Sequence, residues 1–269
     1  MVIYFNTMQE QSSIEENQAA SPVRQTFPKF SFKQKLAHLA LEFPPLERGL
    51  QHRADNFITT TGIENYLEKG GLYLDVGIGR GHIVQRILEV MANKGKSLKG
   101  YFGIDIGDKP HRKVQRRELE RQMKETSDTE EKKISQKNPI GFSWATAERL
   151  PFAGKSFDGI SLIFSLHHMS EDTIDAVIQE AKRVIKADGY IFVAEDIPET
   201  EGERKFTEDM DRRNNLERRN AQHYYKSDQE WEEYFKEKGF EVVNKKDFKT
   251  KYNESFVRHG FYALKIKRP

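Results

Sequence analysis

Two short stretches of the chain concentrate residues able to do chemistry. The first is Asp75-Val76-Gly77-Ile78-Gly79-Arg80-Gly81, an acid followed by glycine at every second position. Glycine lets a backbone turn tightly and approach a ligand that side chains would exclude. A dinucleotide fingerprint, G-x-G-x-x-G, needs glycine at position 82, where His82 stands, and the G-K-[ST] ending of a phosphate-binding loop is absent. An acid at Asp75 suits a ligand with a cationic ammonium and sulfonium better than a pyrophosphate. A second acid, Asp105, ends the next apolar run, where a carboxylate can accept hydrogen bonds from both hydroxyls of a ribose. The other stretch is Leu166-His167-His168. Imidazole titrates near neutral pH, so either histidine can serve as a general base, or can simply orient its loop by hydrogen bonding.

These residues need elements to hold them. Leu72 to Val76 is a short, nearly continuous apolar run, as in a strand buried on both faces. Gly81 to Ala92 follows, with Ile83, Ile87 and Met91 spaced by four, a helix packing on a sheet. Tyr101 to Ile104 reads as a second strand, then a long charged helix; Phe142 to Ala145 reads as a third strand and Phe157 to Phe164 as a fourth. Ser170 caps a helix with Ile174, Val177, Ile178, Ala181, Val184 and Ile185 on its apolar side, which Asp188-Gly189 ends. Tyr190 to Ala194 is a fifth strand, and Glu203 to Arg219 is a charged helix. Ser227-Asp228-Gln229-Glu230 is a capping box for the helix carrying Trp231, Tyr234 and Phe235. Two strands close the chain, about 240–247 and 256–266. Upstream, Ser31 to Phe43 has helical spacing until Pro44-Pro45, and a second helix is expected from Leu46 to Leu67, ended by Gly70-Gly71.

Strands alternating with helices predict an α/β fold: a Rossmann-like, doubly wound, mainly parallel seven-stranded sheet with helices on both faces. In such a sheet the ligand sits beyond the carboxyl ends of the strands. Asp75, Asp105, His167, His168, Glu195 and Asp196 would all fall there.

Composition restricts the classes of function. The 269 residues are 36% hydrophobic and 32% charged, which suits long solvated helices. No apolar run approaches the roughly 20 residues of a membrane span. Residues 1–20 lack a basic segment followed by an apolar core, so no secretory signal is expected and the cytoplasm is the expected compartment. The formal charge of +2 is too balanced to indicate nucleic acid by itself. With no cysteine, a thiolate metal site and a cysteine nucleophile are excluded.

The chain resembles the class I S-adenosylmethionine-dependent methyltransferases, in particular the type 11 subgroup that includes the ubiquinone/menaquinone methyltransferases. The resemblance spans about Gly71 to Asp196. It is strongest at Leu72 to Gly81 and at Ala147 to Asp158 with Leu166-His167-His168 after it; Glu180 to Tyr190 also looks like the family's turn into the fifth strand. It implies S-adenosyl-L-methionine as cofactor, with Asp75, Gly77, Gly79 and Gly81 around its methionine part and Asp105 on the ribose. Thr146, Ala147 and Glu148 would lie along the adenine, and Phe164 would begin the wall near the sulfonium. Relatives commonly carry Asp where Thr146 stands; a Thr hydroxyl can accept the same hydrogen bond without charge assistance. The implied layout is a flexible arm (1–30) and one methyltransferase domain (31–269). That domain divides into a helical cap (31–67), a cofactor-binding core (71–196), a lid insertion (197–226) and a C-terminal helix with strands (227–269).

The catalytic candidates are His167 and His168, since methyl transfer depends chiefly on orientation and needs a base only where the acceptor must lose a proton. With Glu195 and Asp196 they include metal-ligating types, but the spacing does not match the magnesium-dependent catechol methyltransferases, and no metal is expected. The expected acceptor is a small organic molecule beneath a lid in which Phe206, Met210, Tyr224 and Tyr225 are lining or packing residues. An RNA (tRNA) methyltransferase is the alternative. It rests on Arg112, Lys113, Arg116, Arg117, Arg121 and Lys124 together with Arg212, Arg213, Arg218 and Arg219; interleaved Glu118, Glu120 and Glu125 equally fit a solvated helix. A non-catalytic cofactor-binding partner subunit is a third reading.

Overall fold

The computed structural model describes residues 3–4, 54–67, 70–79, 81–106, 140–214, 223–252 and 255–267. The short apolar runs become the central parallel strands: β2 (Leu72–Val76), β3 (Gly100–Asp105), β4 (Ile140–Trp144), β5 (Phe157–Ile163) and β6 (Ile185–Asp196). Two long antiparallel strands, β7 (Phe240–Tyr252) and β8 (Ser255–Ile266), complete the seven, and Ile3–Tyr4 (β1) adds a two-residue segment alongside β4. The order is β1-β4-β3-β2-β5-β6-β8-β7. The order in which strands are added reverses at β2, which runs parallel to both its neighbours, β3 on one side and β5 on the other. That is the switch point at which open α/β sheets bind ligands.

Five helices flank the sheet among the described residues: α1 (54–61), α2 (His82–Asn93), α3 (Glu171–Val184), α4 (Glu201–Asn214) and α5 (Asp228–Glu237). Because strand side chains alternate, β2 sends Leu74 and Val76 to one face and Tyr73 to the other. The first face is covered by Ile174, Val177, Ile178 and Ala181 of α3 and by Trp231 and Phe235 of α5. The second is covered by Phe57 and Ile58 of α1 and by Ile87 and Met91 of α2. Ser170 caps α3 by accepting from the Thr173 amide, and the Ser227–Glu230 capping box forms as expected. No helix among the described residues is long and apolar enough to cross a membrane.

Several boundaries differ from expectation; β6 runs from Ile185 to Asp196 rather than 190–194, and β7 runs on to Tyr252 rather than ending near 247. The helix expected over 46–67 stops at residue 61, where Gly62 (φ 62°) turns the chain into a short 3-10 turn, Ile63–Asn65; residues 46–53 lie outside the described range. Helix α3 ends at Val184 rather than at Asp188-Gly189, because Ile185 is already extended and paired with Phe157. Gly189 serves close packing instead: a Cβ there would lie 2.7 Å from Ile185 Cδ1 and 2.9 Å from the Asp158 carbonyl. Finally, Phe164 is outside β5, in a left-handed conformation (φ 52°). The charged helix expected over 109–137, most of the 1–30 arm and residues 31–53 lie outside the described residues.

Candidate functional site

The parallel strands end in register, Val76 beside Ile104, Asp105 beside Trp144 and Ile163 beside Ala194. One edge of the sheet therefore carries every loop singled out in the sequence. The glycine loop leaves β2 with Gly77, Gly79 and Gly81 all at positive φ (81°, 55° and 82°), a path that L side chains adopt only at a cost. The amides of Gly77 and Ile78 donate to the Ile104 carbonyl at 2.9 and 3.1 Å, which ties the loop to β3. A Cβ on Gly77 would press on Ser165 Cβ at 3.0 Å, and Ile78 lies so close over Gly103 that a Cβ there would sit 2.3 Å from its Cδ1. The loop is thus clamped between the ends of β3 and β5.

Asp105 closes this cradle, its carboxylate accepting from the Gly79 amide at 2.9 Å. Asp75 is placed differently. It is 4% exposed, and its two oxygens accept from Ser161 Oγ (2.6 Å) and Tyr101 Oη (2.9 Å) between the strands. The carboxylate therefore supports the loop from beneath, with both oxygens engaged by protein. Burial raises its pKa; the Ser161 and Tyr101 hydrogen bonds lower it and the nearby Asp105 charge raises it, leaving it at about 6. Past β4, Thr146 and Glu148 are exposed and Ala147 is buried. Phe164 packs edge-on against Phe57 of α1 (6.3 Å), Phe248 of β7 (6.5 Å) and His259 of β8 (5.2 Å), so α1 and the closing strands meet at the residue expected near the sulfonium.

The histidines form a second, buried group at the same edge. His167 and His168 lie in a 3-10 turn, Leu166–His168, joined to Phe164 through Ser165. Glu195 at the end of β6 organises this turn: its carboxylate, fully buried, accepts from the Ser165 and Leu166 amides at 2.9 and 2.7 Å, and lies 2.5 Å from His167 Nδ1. A carboxylate can only accept, so the proton resides on Nδ1 and Nε2 faces away from Glu195. Nε2 points to Asp211 of α4, 3.6 Å off, and His168 Nδ1 lies 3.9 Å from the same carboxylate. His223, from the segment returning after α4, brings its Nε2 to 2.7 Å from Asp211 Oδ2. The backbone of that segment is anchored where Tyr224 N donates to the His167 carbonyl and Arg204 reaches the Tyr225 carbonyl. Tyr225 stacks on His167 (5.3 Å) and His223 (5.8 Å).

Charge holds the group together. Burial pulls the His167 imidazole down, but the Glu195 charge, hydrogen bonding to Asp211 and Glu195, and the Asp196 charge outweigh it and push it up to about 10. Burial raises Asp211, yet the surrounding histidines hold it well below the ordinary carboxylate range. Asp196 lies apart, with its Oδ1 2.6 Å from His259 Nδ1, while His259 Nε2 is 2.8 Å from Thr250 Oγ1.

The structure therefore gathers Gly77, Gly79, Gly81 and Asp105 into one cradle and His167 with His168 into one cluster. It leaves Asp75 beneath the loop and directs Glu195 and Asp196 to separate histidines. Asp211 and His223 were not anticipated: Asp211 lies in a charged run that reads as a solvated helix, and His223 carries no spacing that ties it to residue 167. Of the residues expected in a lid, Tyr225 is buried and Phe206, Met210 and Tyr224 are half-buried. Arg212, one of the bases considered for RNA, pairs with Glu208 of its own helix at 2.5 Å.

The cradle fits S-adenosylmethionine: turns that exclude Cβ atoms leave room for close backbone approach, and Asp105 presents a carboxylate at the end of the neighbouring strand. A family model described as a methyltransferase domain matches residues 46–245. No curated relative matches the chain by sequence. Solved structures share the fold. A methyltransferase of the S-adenosylmethionine-dependent class from Methanosarcina mazei is 17% identical, covering 77% of this chain and 98% of its own, with a TM-score of 0.55. A putative methyltransferase from Haloferax volcanii, solved with the Trm112 methyltransferase activator, is 14% identical over 89% of this chain and 99% of its own (TM-score 0.56). A [4+2]-cyclase is 19% identical over 81% of each chain (TM-score 0.56).

Proposed function

This chain belongs to the methyltransferase-domain family, whose S-adenosylmethionine-dependent members share its fold, and from that premise we propose that it methylates a small organic acceptor. The observation that carries this reading is the enclosure of the His167–His168 turn. Residues of α4 and of the segment 223–225 close over it, and the side chains of His167, Asp211 and His223 are 3%, 11% and 1% exposed. A buried polar cluster beside the cofactor cradle suits an acceptor that enters a small, dry pocket better than one presented on a nucleic-acid surface.

In this reading Gly77, Gly79 and Gly81 give the cofactor's methionine part backbone to lie against, and Asp105 accepts from the ribose. Thr146, Ala147 and Glu148 border the adenine, while Phe164, wedged between α1 and β7, shapes the wall beside the methyl group. When bound, S-adenosylmethionine supplies an electrophilic methyl group. The protein's part is to align the acceptor and exclude water, which can account for most of the rate. His167, charged at neutral pH and oriented by Glu195, positions the acceptor, and His168 beside it bears on the proton that the acceptor loses.

The test is incubation with cofactor labelled in the methyl group and fractionated cell extract. Label in a small-molecule fraction is expected. Label in RNA alone would overturn the small-acceptor reading, and binding of cofactor without transfer to any fraction would point to a non-catalytic partner. The existence of a [4+2]-cyclase with this fold is the reason for reading transfer directly. With the acceptor in hand, His167→Ala and His168→Ala are expected to lower turnover with cofactor affinity retained; unchanged turnover in both removes the histidines from the reaction.

A further inference from the structure

The cluster at the His167–His168 turn has more structure than an acid–base pair needs. One ligand-type atom from each of His167, His168 and Asp211 lies within 4.8 Å of the others. The His167 Nε2–Asp211 and His168 Nδ1–Asp211 separations are 3.6 and 3.9 Å. Around a tetrahedral ion with bonds of about 2.0–2.1 Å, ligand atoms stand about 3.4 Å apart, so the two histidine–carboxylate pairs need to close by only a few tenths of an ångström, and the widest pair of the three, within 4.8 Å, by about 1.4 Å at most. His223 Nε2, 2.7 Å from Asp211 Oδ2, is near enough to become a fourth ligand once it draws back by about 0.7 Å.

The surroundings match what ligating histidines require. A metal-bound imidazole presents one nitrogen to the ion and donates the other N–H to a carboxylate or carbonyl, which fixes tautomer and ring orientation. His167 has Glu195 on Nδ1 at 2.5 Å, with Nε2 turned to the cluster. His223 repeats the pattern more loosely, with Nε2 toward Asp211 and Nδ1 3.8 Å from Glu208. Tyr225 stacks on both rings and restricts their rotation. The donors come from the turn after β5, from α4 and from the segment after α4, so a bound ion would pin the insertion over the strand ends.

We infer that His167, His168 and Asp211, with His223 in reach, form a binding site for one divalent first-row transition ion. Imidazole with a single carboxylate favours zinc or iron(II) over magnesium or calcium, whose sites are built of oxygen. Three protein ligands leave a position open, and an acceptor bearing an oxygen or nitrogen donor is the class that fills it. The use of the ion in the reaction rests on the methyl-transfer reading above; its binding does not.

The experiment uses the full chain, purified without a polyhistidine tag and stripped with a chelator. Cobalt(II) is titrated while d–d absorption is followed, and zinc(II) and magnesium(II) are measured by equilibrium dialysis without cofactor or acceptor. The chain has no cysteine, so no thiolate competes. Expected are one cobalt or zinc per chain, no saturable magnesium, and at least a tenfold loss of zinc affinity in both Asp211→Asn and His168→Ala. S-adenosylmethionine affinity, carried by the glycine loop and Asp105, should be retained in both variants and reports that they fold. A folded wild-type chain that binds neither ion overturns the site, as does zinc affinity unchanged in the two variants. Neither outcome touches the labelled-methyl assay, so the two readings fail separately.

Discussion

Asp75→Asn offers a test of the loop's support with a magnitude that follows from the site. Asp75 is 4% exposed, and burial has raised its pKa from 3.8 to about 6 despite hydrogen bonds from Ser161 and Tyr101. A folded-state value above the unfolded one means that the native chain binds this proton more tightly. Stability therefore falls as pH rises through the window from about 4 to about 6, and above it the ionised group costs the fold about 3 kcal/mol, at roughly 1.4 kcal/mol per pKa unit. Between pH 5 and pH 8 the two pKa values give a change of about 1.4 kcal/mol. Asparagine has nearly the same shape and can still accept from one hydroxyl while donating to the other, but it does not titrate. Urea unfolding of wild type and variant at both pH values isolates the effect as a difference of differences. The variant should gain about 1.4 kcal/mol on wild type in going from pH 5 to pH 8, whatever its constant offset. A gap between the two proteins that does not change with pH would refute the argument that Asp75 is held ionised at a cost beneath the loop.

Three further outcomes follow from the same geometry. Gly77→Ala places a Cβ at φ 81° and 3.0 Å from Ser165 Cβ, so it should cost about 1–2 kcal/mol of stability and at least tenfold in S-adenosylmethionine affinity. Calorimetric titration giving a wild-type Kd would mean that the loop does not carry the cofactor. Glu195→Ala leaves the Ser165 and Leu166 amides and His167 without their buried acceptor, so about 3–5 kcal/mol should be lost in urea unfolding, and less in Glu195→Gln; a loss below about 1 kcal/mol contradicts its organising role. Gly103→Ala should cost about 1–3 kcal/mol through its clash with Ile78, and adding Ile78→Ala should recover part of that loss. Additive costs in that double-mutant cycle would show that the two residues do not press on each other.

The glycine turn and the placing of Asp105 beside it were legible because their signals are local. Alternating glycines after an apolar strand, and an acid at the end of the next, each follow from a few consecutive residues under one physical demand. Even there the tertiary structure added partners that no local pattern shows. Asp75 reads as a ligand contact in sequence, but Ser161 and Tyr101 come from other strands, and their pairing with it appears only when the sheet assembles. Gly189 likewise reads as a helix stop and proves to be a gap for Ile185 and the Asp158 carbonyl.

The amino-acid sequence by itself determined the strand–helix alternation, the family resemblance and the glycine cradle, since periodicity and turn chemistry act over a few residues. Only the fold decided that Glu195 anchors His167, and that Asp211 and His223 arrive from beyond β6 to face it. Partners 28 to 56 positions apart, with no fixed spacing, leave no pattern in a chain. They meet because the parallel strands end along one edge, and because the insertion after β6 folds back over that edge.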